Sequence, residues 1–343
     1  MHKTMQPVPD GGAEGTSTQT SGVTRRRFLR QAGATALSWA ACSHFDFAQP
    51  GTLPNPVGYS NISWPPAELN QAMEALSALG YQGMQLLGWV QETYAGGKTA
   101  ELKERLQKLK LSAAALSCSK VKLIPDNPDD FKEQFRVYAD FLHTLGGKVL
   151  QLVDDGKPQG KYTTGEIKSM GAKMNELGKM AKDSGMTVGY HPHFGRLGET
   201  REGLGRVLDA TDPQYVGLIA DVAHLKLGGA DPAEVIRTYH QRLVMLHLKD
   251  VRRDVYELVR QNRDAAKGLK THFCEIGHGV VDFPAITASL RNVRFQGWAI
   301  VELDSYVPPA GGPAESARIN KNALRSLGFQ IGSRGGAAPI RYM

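Results

Sequence analysis

Residues 216–224 read Val216-Gly217-Leu218-Ile219-Ala220-Asp221-Val222-Ala223-His224. The five residues before Asp221 carry no polar side chain, so the run reads as a buried strand. It ends on a carboxylate, with an imidazole three residues on, and a helix-period segment follows over 232–240. The same grammar recurs on both sides. The run 187–193 closes on Tyr190-His191-Pro192-His193. The run 243–248 leads into His247-Leu248-Lys249-Asp250, and 297–303 leads into Glu302-Leu303-Asp304.

Further outward, the alternation extends to the whole chain beyond Pro54. Strands are predicted over 57–60, 83–88, 112–117, 149–153, 187–193, 216–222, 243–248 and 297–303. Helices are predicted over 66–79, 99–109, 129–145, 164–184, 200–211, 232–240, 283–293 and 313–326. A long insertion, residues 252–279, precedes the seventh helix. Eight strand-then-helix units in about 270 residues match a (β/α)8 TIM barrel, an α/β fold of typically about 250 residues. A doubly wound open sheet fits less well. It needs fewer units, and no Gly-x-Gly-x-x-Gly follows the first strand. The barrel is expected over 51–330. The Gly- and Arg-rich tail after Leu327 is expected to pack loosely, with 331–343 flexible.

In such a barrel the active site lies at the C-terminal strand ends. Four consecutive strands would bring imidazole or carboxylate to one rim. One such histidine alone would read as a satisfied core residue; four neighbouring strand ends point to a metal site. Mixed imidazole and carboxylate ligands suit Mn²⁺, Co²⁺, Fe²⁺ or Zn²⁺ better than Mg²⁺ or Ca²⁺.

Ile219-Ala220-Asp221-Val222-Ala223-His224 and His247-Leu248-Lys249-Asp250 resemble motifs of the sugar phosphate isomerase/epimerase superfamily, the xylose-isomerase-like barrels. Gly277-His278-Gly279-Val280-Val281-Asp282-Phe283 and Gly297-Trp298-Ala299-Ile300-Val301-Glu302 continue the likeness. Tyr190-His191-Pro192-His193-Phe194-Gly195 is most similar to the inosose dehydratases. The resemblance implies one divalent metal, Mn²⁺ or Co²⁺ before Zn²⁺ or Fe²⁺. It places Asp221, His247 and Glu302 as ligands and His224 against the substrate. Ketose epimerases carry a Glu on strand five, as ligand and base, where this chain has His191. That departure leaves Glu302 as the one carboxylate base, with His191 as the expected fourth ligand.

The implied chemistry starts with metal-assisted proton removal beside a carbonyl. Returning the proton elsewhere isomerises or epimerises; expelling a β-hydroxyl dehydrates. His193 or His224 would protonate that leaving group, since imidazole titrates near neutrality. Elimination is therefore favoured over the isomerase or epimerase alternative. Lys249 either contacts a substrate oxygen or pairs with Asp250. Gln151 faces the same mouth and is a candidate for binding a hydroxyl. Trp89 is a candidate to stack on a sugar face, or else packs. Asp154 and Asp155 read as loop carboxylates. His272, Glu275 and His278 lie in the insertion, which reads as a lid or as a solvated excursion. A carbohydrate-binding barrel without catalysis is the reading from another class.

The rest of the composition excludes more than it assigns. The chain has 343 residues, 41% hydrophobic and 22% charged, too apolar for a disordered chain. Its charge of +7 is not gathered into a basic block, and no nucleic-acid motif accompanies it. No C-x-x-C pair occurs among Cys42, Cys118 and Cys274. The expected partner is a small carbohydrate or cyclitol, with no nucleic acid and no stable membrane insertion; a homo-oligomer stays open. Residues 1–50 read as a disordered leader and an export signal. Thr24-Arg25-Arg26-Arg27-Phe28-Leu29-Arg30 resembles a twin-arginine signal, and a short apolar stretch follows it. The expected location is periplasmic. Cys42 is a poor candidate for lipidation, because Trp39-Ala40-Ala41 precedes it.

Overall fold

The structure is a computed structural model and describes residues 51–123, 130–156, 162–263, 265 and 269–332. The twin-arginine stretch, Cys42 and the tail from 333 onward lie outside the described residues. Among the described residues no helix is long and apolar enough to cross a membrane.

Eight parallel strands close into a barrel. They are β1 (Val57–Ser60), β2 (Gly83–Leu87), β3 (Ser112–Ser117), β4 (Val149–Leu152), β5 (Thr187–Tyr190), β6 (Val216–Asp221), β7 (Leu243–Leu248) and β10 (Trp298–Val301), with β10 pairing back onto β1. Helices α1 (Leu69–Leu79), α3 (Thr99–Lys108), α4 (Asp130–Leu145), α5 (Thr164–Asp183), α6 (Arg201–Asp209), α8 (Pro232–Thr238), α10 (Phe283–Val293) and α11 (Gly312–Ser326) follow the strands as expected. Two short helices directly after strands were not foreseen, α2 (Gly88–Thr93) and α7 (Val222–Leu227), nor was the helix within the insertion described below.

The barrel interior is layered by strand parity, because residues i and i+2 face the same side. Val149, Ile219, Met245 and Ile300, with Ala115 and Trp298, form one buried apolar cluster. Two residues further along the same strands stand Gln151, Asp221, His247 and Glu302. Gly83 and Gly189 belong to the lower layer, two residues before Gln85 and His191. A Cβ on Gly83 would lie 2.7 Å from the Trp298 ring, and one on Gly189 would lie 2.5 Å from Ile219. Glycine there is a matter of room. The apolar layer plugs the barrel and the polar layer sits on top of it.

The strands end sooner at the rim than the sequence suggests. β5 stops at Tyr190, β6 at Asp221 and β10 at Val301. Pro192 cannot donate to a ladder, so the chain leaves the sheet as it passes His191. At β6 the Asp221 side chain ends the strand itself. Its Oδ1 accepts from the backbone N–H of Ala223 at 3.0 Å and His224 at 2.8 Å, and so caps α7. The expectation of loose packing after Leu327 is corrected: Phe329 and Ile331 are buried, and Leu53 N donates to Gly328 O at 2.8 Å. The boundary placed at 330 therefore falls inside the packed chain.

The insertion of residues 252–279 carries helix α9 (Arg253–Gln261) and strand β9 (Phe273–Cys274), which pairs antiparallel with β8 (Asp250–Val251) just ahead of it. Asp250 anchors it. Its carboxylate accepts four backbone N–H bonds, from Val251, Gly277, Gly279 and Val281, at 2.8–3.0 Å. Burial raises its pKa, and the amide bonds oppose that rise.

Candidate active site

His191, Asp221, His247 and Glu302 are all buried, and one ligand atom of each lies within 4.8 Å of the others. His191 Nε2 is 3.2 Å from Asp221 Oδ2 and 3.8 Å from Glu302 Oε2. His247 Nδ1 is 3.6 Å from Asp221 Oδ2, 2.9 Å from Glu302 Oε2 and 3.4 Å from His191 Nε2. Ligands about 2.1 Å from a tetrahedral ion stand roughly 3.4 Å apart, so the spacing and donor chemistry fit a divalent metal.

A lysine shares this cluster. Lys249 Nζ is 2.9 Å from Asp221 Oδ2, 3.2 Å from Glu302 Oε2 and 2.7 Å from Asp304 Oδ1. Lys249 follows the last residue of β7 and enters the cluster, while the Asp250 carboxylate turns to the amides of Gly277, Gly279 and Val281, so the expected alternative pairing with Asp250 does not form. Burial alone would raise the Asp221 carboxyl, but Lys249, with hydrogen bonds from His191 and His247, outweighs it and holds the group well below its ordinary range. Burial likewise opposes the shift at Glu302, where His247 and Lys249 prevail and hold the carboxyl low. The same carboxylates overcome burial to raise His247 and Lys249. For His191 burial prevails and lowers the imidazole.

Two glutamines join the ligands, Gln85 from β2 across the barrel and Gln151 from β4 beside β5. Gln85 Nε2 donates to Glu302 Oε1 and to Gln151 Oε1, each at 2.9 Å, and Gln85 Oε1 is 2.6 Å from His247 Nε2. Gln151 Nε2 is 3.0 Å from His191 Nδ1. Gln151 thus stands beside the candidate ligands as expected, with its amide engaged by Gln85 and His191. Gln85 was missed by the sequence reading. Its signal was an amide inside the apolar run Gly83-Met84-Gln85-Leu86-Leu87, where burial is costly unless every polar atom is paired.

His193 and His224 flank the quartet, with ring centroids 3.8 Å apart. The Phe194 main chain treats them oppositely. Its N–H donates to His224 Nδ1 at 3.1 Å, so the proton of neutral His224 sits on Nε2. Its carbonyl is 2.8 Å from His193 Nδ1, which must be the protonated nitrogen there, so His193 Nε2 is the atom free to exchange a proton. Burial, then the neighbouring His193 and Lys249, depress the His224 imidazole well below its ordinary range. His224 Nε2 is buried and has no hydrogen-bond partner. A neutral N–H held ready in this way suits a substrate oxygen.

The insertion closes over these rings. Buried Phe273 lies 4.9 Å from the His224 ring and 4.8 Å below Lys249 Nζ. The Arg263 guanidinium stacks over Phe194 at 5.1 Å and pairs with Glu199, whose Oε2 accepts from Gly195 N at 2.6 Å. The His272 ring is 6.0 Å from Phe194. The lid reading therefore fits the contacts better than a solvated excursion. Arg263→Ala should speed amide exchange across residues 253–261 about 5-fold, the weight of roughly 1 kcal/mol. The barrel strands should exchange as before, and an unchanged rate in α9 would show that Arg263 does not latch it.

Trp89 is half-buried on α2 and packs against the apolar core. Asp154 holds the loop after β5, accepting from Tyr190 Oη at 2.8 Å, Tyr162 Oη at 2.9 Å and Leu197 N at 3.2 Å. Glu275 accepts from Ser316 Oγ at 2.7 Å, and His278 is exposed.

Residues 73–327 match the family model described as xylose isomerase-like TIM barrel. The inosose dehydratase of Clostridium beijerinckii is 28% identical over 297 residues, 80% of this chain and 96% of that protein. The inosose dehydratase of Geobacillus kaustophilus is 33% identical over 210 residues, 56% of this chain and 67% of that protein. Among solved structures, IOLI protein with a bound zinc atom superposes with a TM-score of 0.63 at 18% identity, covering 80% of this chain and 98% of that one. With the closed parallel barrel and its strand-end motifs, the match over residues 73–327 shows that the chain belongs to the xylose isomerase-like TIM barrel family.

Proposed function

We propose that this enzyme is a metal-dependent dehydratase of a keto-cyclitol or keto-sugar. Asp221, His247 and Glu302 would hold the ion, and His191 stands beside them with Nε2 3.2 Å from Asp221 Oδ2. Mn²⁺ or Co²⁺ is the proposed ion, and the zinc of IOLI protein supports a divalent one. A divalent ion bound there would polarise a substrate carbonyl and stabilise negative charge as it develops on the carbonyl oxygen.

The protein's own residues supply the rest. Glu302 is the carboxylate base for the proton beside the carbonyl. As that C–H bond breaks, a carbon–carbon double bond forms and the β-hydroxyl departs. His193 Nε2, which must first take up a proton from solvent to make the imidazolium, delivers that proton and the hydroxyl leaves as water. His224 Nε2–H donates to a substrate oxygen and stays neutral.

The observation that carries dehydration is the likeness to inosose dehydratases over most of the chain, and the tautomers around Phe194 leave His193 as the flanking imidazole that exchanges the proton. An epimerase needs a second base on the face opposite Glu302. His224 cannot serve, because its Nδ1 is engaged by an N–H and its Nε2 already carries the proton, so that part would fall to His193 Nε2, the atom that dehydration uses as acid.

The test is incubation of the manganese-, cobalt- or zinc-loaded enzyme in D₂O with keto-inositols, 3-keto-glycosides and free ketoses. An absorbing unsaturated or diketone product is expected from a keto substrate. Deuterium in an epimerised ketose, with no such product, would make the enzyme an epimerase instead. We also propose export to the periplasm by the twin-arginine route, on the strength of Arg25-Arg26-Arg27-Phe28-Leu29.

A further inference from the structure

We infer that Gln85, a residue on the opposite wall of the barrel, decides which of the two central imidazoles offers its lone pair to the metal. The inference rests on the metal reading above and concerns a positioning residue, one that acts through His247, Glu302 and Gln151.

The argument starts from an atom with no choice. The ionised Glu302 carboxylate can only accept, and its Oε1 lies 2.9 Å from one end of the Gln85 amide. That end must be the NH₂. The other end, the carbonyl oxygen, then faces His247 Nε2 at 2.6 Å. An amide oxygen can only accept, so His247 Nε2 carries a proton. Once His247 loses its second proton to a metal, the lone pair is on Nδ1. Nδ1 is the atom that faces Asp221 Oδ2 and Glu302 Oε2.

The second N–H of Gln85 carries the argument across the barrel. It donates to Gln151 Oε1 at 2.9 Å, which turns the Gln151 NH₂ toward His191 Nδ1 at 3.0 Å. His191 Nδ1 must therefore accept, and the proton of neutral His191 sits on Nε2, donating to Asp221 Oδ2 at 3.2 Å. Ligation by His191 would require the Gln151 amide to turn over and set its NH₂ against that of Gln85. Such a clash leaves buried donors unpaired and costs about 1–3 kcal/mol. One buried amide thus commits His247 as ligand and keeps His191 as a hydrogen-bond donor to Asp221. This differs from the part that the position of His191 on β5 suggests.

The decisive measurement is ¹⁵N histidine NMR of the zinc-loaded full-length protein, with zinc affinity measured by competition against a chromophoric chelator. The wild type should show His247 with its proton on Nε2 and zinc at Nδ1, and His191 with its proton on Nε2. Gln85→Met keeps the length of the side chain and removes both functions. It should raise the zinc Kd about 10- to 100-fold, the usual weight of a partner behind a ligand. Gln85→Glu restores an acceptor for His247 but sets a carboxylate against Glu302. It should keep the His247 tautomer while still weakening zinc binding. If folded Gln85→Met binds zinc as the wild type does, or if His191 is zinc-bound through Nε2 in the wild type, the inference is overturned while the metal reading stands. A wild type that binds no divalent ion overturns both. The wild-type spectrum needs no variant, so misfolding of either mutant leaves the question answerable.

Discussion

Replacing Glu302 with Gln should lower turnover about 10³-fold, within the range of lost acid–base catalysis. The substitution removes the only carboxylate proposed as base and one of two negative charges facing the metal position. It also changes what Gln85 meets, since the acceptor at Glu302 Oε1 becomes part of an amide. Metal affinity and turnover should therefore fall together, and elemental analysis beside steady-state kinetics would separate them. A Glu302→Gln protein that retains its metal and its turnover would remove Glu302 from the mechanism.

Lys249→Met should be the most destabilising single change at the site. The ammonium is fully buried and shared by Asp221, Glu302 and Asp304. Removing it strands buried carboxylates and should cost about 3–5 kcal/mol in metal-free protein. A bound divalent cation compensates the same carboxylates, so saturating zinc should return part of the loss. Urea titrations with zinc and with chelator would show whether the two cations substitute for each other. The acid limb gives a second check. Asp221 and Glu302 are held below their ordinary values, so their contribution is complete above about pH 4 and fades as pH falls through the depressed range. Without Lys249 these carboxyls protonate at higher pH, and the acid-unfolding midpoint should move upward. Equal stability of the two metal-free proteins would mean that Lys249 is no counterion to the pair.

Asp221, His247 and Glu302 were legible because a barrel brings the ends of neighbouring strands to one rim. The division between Lys249 and Asp250 was not, since the amides that take up the Asp250 carboxylate come from Gly277, Gly279 and Val281, later in the chain. Gln85 was harder to see. A lone amide in an apolar strand has no chemistry of its own, and its meaning comes from partners that are 66, 162 and 217 residues away in the chain. The early end of β5 had a visible cause in Pro192, which the strand reading ran through, and at β10 the reading ran on through Glu302 to Leu303. The short helix α7 had a visible cause in Asp221, an N-cap residue type directly ahead of it. A strand reading carried through Val222 overlooked it.

The main chain of Phe194 has a consequence for how this site can vary. Both imidazoles beside it take their orientation from main-chain atoms, which every residue type except proline supplies in full. The ring of the same residue meets Arg263 and His272 of the insertion. Two jobs thus fall on one position but on separable parts of it. Exchanging the ring retunes how the cover seats and leaves the proton positions on His193 and His224 as they are. A lineage can therefore remodel its cover at residue 194 by ordinary point mutation, with proline the one replacement that reaches the chemistry.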